Sequence, residues 1–180
     1  MDRASLLGLL YDYYPTDPLE SNFKEETLNF IKKHENCFER SLSVGHITGS
    51  AWITNYSGSK ALLTHHAKLD RWLQLGGHAD GNPNIVEVAT NEAREESGLS
   101  SIQLVSKQIF DLDVHLIPSN HKETAHLHYD IRFLFQADEH EKLHVSSESK
   151  NLKWLSYNAL ADYTQHNTSI IRMAEKCLKR

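Results

Sequence analysis

The sequence is poor in cysteine and has no long apolar run. Its 180 residues contain two cysteines, Cys37 and Cys177, which form neither a CxxC pair nor a disulfide framework. This usage is typical of the reducing cytoplasm, where disulfides are rare. The apolar run at 6–10 is too short for a signal peptide or a bilayer span. We therefore expect a cytoplasmic protein that has no membrane as a partner.

The sequence also lacks an excess of basic residues. Lys and Arg number 19 against 24 Asp and Glu, which gives a formal net charge of -5. This balance argues against a nucleic-acid partner. Free nucleotides remain candidate ligands, because a bound metal ion can offset local negative charge. Hydrophobic residues make up 39% of the chain, which is enough for a core and too much for a disordered protein.

Hydrophobic periodicity predicts one mixed α/β domain over residues 41–180, with helices packed on a sheet. Residues 1–40 are predicted to form an N-terminal helical extension packed on this core. In this extension Asp17 is expected to cap a helix and Pro18 to take its first position. The extension would serve as a dimer interface, as a lid or only as packing. A homodimer is therefore one of the arrangements that the sequence leaves open.

Strand-like composition and turn residues define the other elements. Predicted strands cover 44–56, 60–66, 72–75, 102–110, 114–117, 125–135 and 151–155, and 118–123 is a polar loop. Predicted helices cover 83–97, 156–163 and a segment that begins near residue 167 or 168. For the helix at 83–97, Asn82 is the expected N-cap, Pro83 the first residue and Gly98 the glycine that ends it.

Three glutamates on this central helix carry the main chemical pattern. Glu92, Glu95 and Glu96 recur at i, i+3 and i+4, so they share one helix face. Like charges at this spacing repel by about 0.2–0.5 kcal/mol per exposed pair. The helix dipole also disfavours anions near the C-terminal end. A hard divalent cation such as Mg²⁺ or Mn²⁺ would remove the conflict, and an ordinary solvated face is the alternative.

The segment from Gly77 to Leu99 resembles the Nudix box, G-x(5)-E-x(7)-R-E-U-x-E-E-x-G-U, in which U is aliphatic. The matching positions are Gly77, Glu92, Ala93, Glu95, Glu96, Gly98 and Leu99. The resemblance covers about residues 45–165. It implies a Nudix fold, an α/β/α sandwich around a mixed sheet. It also implies a hydrolase that cleaves the pyrophosphate linkage of a small nucleoside diphosphate derivative, such as ADP-ribose, a dinucleotide, a nucleotide sugar or a nucleoside triphosphate.

The resemblance also implies roles for individual residues. Two or three Mg²⁺ or Mn²⁺ ions would be held by Glu92, Glu95, Glu96 and the Gly77 carbonyl. A glutamate of the box or Glu148 would orient or deprotonate the attacking water. The alternative for Glu148 is a plain loop glutamate, and Glu123 is a weaker candidate for the same role.

The box departs from the family pattern at two positions. The family has a glutamate where this chain has Pro83, and an arginine where it has Asn91. These family residues pair with each other, so their joint loss leaves no unpaired charge. This joint loss is easier to reconcile with activity than the loss of one residue. The divergence of the box nevertheless leaves a catalytically inactive Nudix-like module that binds nucleotides as the main alternative. A third hypothesis is an isoprenoid diphosphate isomerase. It would require a cysteine near the pocket, and it ranks below the others because Cys37 and Cys177 lie outside the box.

A second polar pattern follows the strand at 125–135. His126, His128, Asp130 and Arg132 alternate along it and share one face. Such a row suits a pocket for phosphate and ribose, with Arg132 as the best phosphate partner. The alternative is the solvated face of an antiparallel strand.

Histidines elsewhere add candidates. His78 directly follows the glycine pair and is a candidate for contact with the metal, the pyrophosphate or the leaving group. The alternative is a plain loop residue. Of His65 and His66, one is expected to face solvent and the other to pack.

Overall fold

The computed structural model describes residues 2–119 and 124–179. Its helices are α1 (Arg3–Asp12), α2 (Pro18–Lys33), α3 (Ile85–Ser97), α4 (Tyr157–Tyr163) and α5 (Thr168–Leu178). Its strands are β1 (Gly45–Asn55), β2 (Lys60–His66), β3 (Arg71–Leu73), β4 (Leu75–His78), β5 (Gln103–Leu104), β6 (Asp111–Ile117), β7 (His126–Ala137) and β8 (Ser149–Ser156). Within these two ranges no helix is long and apolar enough to cross a membrane.

The eight strands belong to one sheet. Its order is β3-β2-β1-β7-β5, and β4 also pairs with β1, β6 with β7 and β8 with β2. The hairpin β1–β2 is antiparallel and aligns Ile53 with Leu62. Strands β6 and β7 are antiparallel too, and their register places His115 opposite His128. The predicted Nudix fold, with strands and helices mixed around one sheet, is confirmed.

The chain forms two compact units. The first comprises Met1–Ser50, Gly77–Ala89 and Lys107–Phe133, and the second comprises Ala51–Gly76, Thr90–Ser106 and Leu134–Arg180. Several elements contribute residues to both units, namely β1, β4, β7 and α3. The predicted boundary at residue 40 stays a prediction.

In the first unit the N-terminal helices pack on the sheet. Asp17 caps α2, with Pro18 in its first turn, as the sequence predicts. Glu20 is fully buried and accepts hydrogen bonds from the Tyr13 hydroxyl and from the Leu112 amide of β6. The ring of Phe30 stacks on Tyr129 at a centroid distance of 4.0 Å. The extension thus packs within its unit, and its further role stays a prediction.

In the second unit β2 is the best-connected strand. It pairs along its whole length with β8, from Lys60 opposite Ser156 to His66 opposite Ser149. Its own side chains alternate little in burial, because Ala61, Leu62 and Leu63 are all fully buried. A strand that is buried on both faces has consecutive apolar residues. This continuous run is why the sequence predicts β2 so clearly.

Several predicted boundaries are wrong. Helix α3 begins at Ile85, two residues later than expected. The glycine pair lies within β4 and does not follow a strand. The strand predicted over 102–110 is reduced to Gln103–Leu104, because Ser106 and Lys107 interrupt the pairing with β7. Residues 120–123 of the predicted loop, including Glu123, lie outside the described residues.

Candidate functional site

Helix α3 presents its three glutamates with very different exposure. Glu95 is exposed and Glu92 is half-buried, whereas Glu96 keeps only 7% of its surface exposed. The Gly76 amide donates a hydrogen bond of 3.1 Å to Oε2 of Glu96. The first glycine of the pair therefore holds the carboxylate that the box places deepest in the protein.

Burial raises the pKa of Glu96 from 4.5 to about 8, and the Gly76 amide opposes this rise only in part. The negative charges of Glu92 and Glu148 raise it further. Both charged side chains that influence Glu96 in the described chain are thus anionic. A buried carboxyl with only anions as charged neighbours is a group that a bound cation would stabilise.

The C-terminal end of α3 is held by backbone contacts. Gly98 adopts a left-handed conformation with φ of 71°, and its amide donates to the Arg94 carbonyl. A Cβ atom on Gly98 would lie 2.6 Å from Cβ of His144. The buried Ser97 carbonyl accepts a hydrogen bond of 2.8 Å from the His144 amide. The predicted role of Gly98 as the terminating glycine is confirmed.

The loop before α3 takes the place of the family's Glu–Arg pair. Asn82 was expected to cap the helix, but its Oδ1 accepts from the Asn84 amide at 2.9 Å and forms a turn before the helix begins. The Asn84 carbonyl then accepts from the Val88 amide, the first hydrogen bond of the helix. Arg40 also forms an ion pair with Asp80. Side chains outside the box pattern thus stabilise this loop.

The polar row of β7 is buried in the first unit, so the solvated alternative is wrong. Arg132 and Asp130 are each 2% exposed. The Arg132 guanidinium donates to Asp130 at 2.8 Å and to Asp111 at 3.0 Å, and it lies 3.3 Å from Asp113. Oδ1 of Asp130 accepts further hydrogen bonds from Ser50 and Thr48 of β1. This group of side chains is called the arginine network below.

The arginine network gives Asp130 and Arg132 a structural role. Burial opposes the charge of Arg132, but the three aspartates outweigh it and raise the pKa of the guanidinium. The predicted contact of both residues with phosphate or ribose stays a prediction.

The three predicted histidines lie together in the first unit. The ring centroids of His78 and His128 are 5.2 Å apart, as are those of His126 and His128. A fourth histidine, His46 of β1, lies among them, 4.7 Å from His128. Sequence reasoning missed His46, although the alternation of His46, Thr48 and Ser50 on a predicted strand carried the same pattern as β7. Their contact with substrate stays a prediction.

The remaining candidates lie in the second unit. Glu148 is exposed, and its charge influences both Glu96 and His66. Burial lowers the pKa of His66, and the ring nitrogen Nδ1 accepts from two backbone amides of the following turn. His65 stacks on Trp72 and lies 2.8 Å from Asp70. The predicted role of Glu148 in activating water stays a prediction.

The fold is similar to that of several solved hydrolases. A hydrolase of the NUDIX family from Clostridium perfringens is 25% identical with a TM-score of 0.57, over 74% of this chain and 97% of that chain. A C. elegans Ap4A hydrolase in a binary complex is 14% identical with a TM-score of 0.58, over 74% and 95%. A bifunctional NMN adenylyltransferase/ADP ribose pyrophosphatase from Francisella tularensis is 18% identical with a TM-score of 0.53, over 88% and 47%. No protein-family model and no curated protein matches the sequence.

The fold is that of Nudix hydrolases, and helix α3 carries the glutamates of their box. The chain therefore resembles a Nudix-type hydrolase, with a box that departs from the family pattern at Pro83 and Asn91.

Proposed function

We propose that this chain is a metal-dependent hydrolase that cleaves the pyrophosphate linkage of a nucleoside diphosphate derivative. One observation carries the proposal. Glu96 is a buried carboxyl on the helix face that also carries Glu92, and the negative charges of Glu92 and Glu148 raise its pKa beyond the effect of burial. Such a group costs free energy unless a cation binds or a proton stays on it. Carboxylate oxygens are the ligands that Mg²⁺ and Mn²⁺ prefer, so the donor set fits the cofactor that the box implies.

The metal ions would be held by Glu92, Glu95 and Glu96. When bound, they would polarise phosphoryl oxygens and lower the pKa of water. The Gly76 amide fixes the orientation of Glu96, so the deepest ligand is preorganised for this role. Glu148 is exposed, its charge acts on Glu96, and a carboxylate of this kind is suited to accept a proton from the attacking water. The Gly77 carbonyl stays a ligand predicted by the resemblance.

The substrate class rests on similarity alone. Solved structures of this fold include an Ap4A hydrolase and an ADP ribose pyrophosphatase domain. Both names describe nucleotides joined through phosphates, and a site of two or more metal ions suits the cleavage of such a linkage. We therefore extend the proposal to nucleoside diphosphate derivatives, with the individual nucleotide to be found by screening.

The test is a phosphate-release screen of the full chain with Mg²⁺ and with Mn²⁺. The substrates are ADP-ribose, dinucleoside polyphosphates, NADH and nucleoside triphosphates. We expect turnover of at least one of them, and its loss on addition of a chelator. Tight binding of a nucleotide without turnover of any substrate would show instead that the chain is a binding module.

Matched variants assign the turnover to α3. Glu96→Gln and Glu95→Gln should lower kcat by at least 100-fold while circular dichroism stays unchanged, because each removes a carboxylate that the transition state needs. Glu175→Gln is the control, since Glu175 is an exposed glutamate near the C-terminal end of another helix, α5. Full activity in Glu96→Gln would exclude this helix as the metal site.

A further inference from the structure

The first unit contains a cluster of imidazoles that is not among the carboxylate ligands proposed for the hydrolysis. His46 of β1, His78 of β4 and His128 of β7 each offer a ring nitrogen, and these three nitrogens lie within 4.8 Å of one another. The ring centroids are 4.7 Å apart for His46 and His128, and 5.1 Å apart for His46 and His78. The three histidines come from three strands of one sheet. They are called the histidine cluster below.

The spacing is close to that of a metal site. In a tetrahedral zinc site with Zn–N distances of about 2.0–2.1 Å, two ligand nitrogens are about 3.3 Å apart. The nitrogens of the histidine cluster therefore need to move inward by roughly 1 Å or less, which small rotations of the rings supply. Their Cα atoms lie on sheet strands, which fix ligand positions better than loops do.

A second observation points to a ligand. Nε2 of His128 is buried and has no hydrogen-bond partner among the described residues. A buried polar nitrogen without a partner costs free energy, and packing alone gives no reason to place it beside two further imidazoles.

Two further histidines border the cluster and support its geometry. His126 donates from Nδ1 to the Thr124 carbonyl at 2.8 Å, and its ring lies 5.2 Å from that of His128. Nδ1 of His115 lies 3.1 Å from Asp113, and its ring centroid is 5.5 Å from that of His128. Hydrogen bonds of this kind fix the tautomer and the orientation of histidines around a metal.

From this arrangement we infer that His46, His78 and His128 form a second metal site, selective for a borderline ion such as Zn²⁺ over Mg²⁺. Three neutral nitrogens suit zinc, nickel or copper, whereas Mg²⁺ prefers oxygen ligands. The site thus differs in ligand chemistry from the carboxylates of α3, and it stands whether or not the proposed hydrolase activity is found.

The experiment is a titration of the full, metal-free chain with Zn²⁺ in excess Mg²⁺, followed by competition with a chromophoric chelator. We expect one zinc per chain, and a loss of affinity of more than about 100-fold in His78→Gln and in His128→Gln. This exceeds the 10- to 100-fold effect of losing a residue that only supports a ligand. Replacement of Zn²⁺ by Co²⁺ should give the visible absorption bands of a tetrahedral site.

Two controls separate this site from others. His140→Gln removes an exposed histidine outside the cluster and should leave the zinc affinity unchanged. Glu96→Gln alters the box and should leave it unchanged as well. If instead Glu96→Gln abolishes zinc binding while His78→Gln keeps it, the zinc belongs to the box and the inference is wrong.

If a variant fails to fold, nuclear magnetic resonance of the wild-type chain with labelled histidine tests the site without any substitution. One equivalent of Zn²⁺ should shift one ring nitrogen in each of three histidines, assigned to residues 46, 78 and 128. Shifts confined to other histidines, or the absence of any shift at one equivalent, would overturn the site.

Discussion

The carboxylate face of α3 and the arginine network of β7 are two groups of acidic side chains in opposite electrostatic states. In the arginine network, three aspartates surround one fully charged guanidinium, and hydrogen bonds from Thr48 and Ser50 complete the shell of Asp130. On α3, Glu96 is buried with Glu92 and Glu148 as its charged neighbours. In the arginine network the chain itself supplies the cation that compensates the aspartates, whereas no such cation is identified for Glu96.

The difference teaches how to separate structural from functional acids. A buried carboxylate beside a cation that the chain supplies is part of the folded framework, and removing the cation harms stability. A buried carboxyl beside further carboxyls is kept at a cost to stability, which is typical of sites that bind a ligand. The following experiments test this contrast, from the largest expected effect to the smallest.

The largest effect is expected from Arg132→Met. The substitution leaves Asp111, Asp113 and Asp130 without their cation in a buried position. We expect a loss of about 3–5 kcal/mol in the free energy of unfolding, or failure to fold. Urea unfolding measures it, with Arg40→Met as the control, because the exposed Arg40–Asp80 pair is worth at most about 1 kcal/mol. Equal losses in the two variants would contradict the structural role of the network.

The next effect concerns the end of α3. Gly98→Ala and Gly58→Ala both place a side chain in the left-handed region, at φ of 71° and 67°, for a cost of about 1–2 kcal/mol each. A Cβ atom at Gly98 also meets His144 at 2.6 Å, whereas Gly58 has nothing within 4 Å. We expect Gly98→Ala to cost at least about 1 kcal/mol more than Gly58→Ala in thermal unfolding. Identical melting temperatures would show that His144 yields without cost.

The pKa of Glu96 predicts how pH acts on the metal-free chain. Because its folded pKa of about 8 lies above the ordinary value of 4.5, protonated Glu96 contributes stability below pH 4.5 that is lost as pH rises through about 8. Metal binding must release this proton, so the affinity for Mg²⁺ should rise about tenfold per pH unit between pH 6 and 8. Calorimetry in two buffers of different ionisation enthalpy measures the released proton. In Glu96→Gln this slope should vanish, and a slope that persists would assign the proton to another group.

The smallest effect is expected from Glu95→Gln in the metal-free chain. The substitution removes one like-charge neighbour of Glu92 on α3, so we expect a gain of about 0.2–0.5 kcal/mol in stability together with weaker Mg²⁺ binding. Glu175→Gln should instead lower the stability, because Lys179 follows Glu175 at favourable helical spacing. Denaturation in urea with and without Mg²⁺ compares them, and a destabilised metal-free Glu95→Gln would refute the idea of charge conflict on this face.

Local rules predicted the elements whose signals lie in neighbouring residues. The N-cap at Asp17, the strand Lys60–His66 and the terminating glycine Gly98 all agree with the structure. The start of α3 was missed because Asn82 caps a turn instead of the helix. Both uses of asparagine satisfy a backbone amide, so the sequence alone does not distinguish them.

The sequence by itself determined the face that carries Glu92, Glu95 and Glu96, because a helix repeats every 3.6 residues whatever surrounds it. It also determined which residues of β7 share a face. Only the tertiary structure decided that Glu96 is buried while Glu95 is exposed, and that Arg132 is surrounded by aspartates. It also brought His46 to the other histidines. These outcomes depend on contacts between residues far apart in the chain, which no local period encodes.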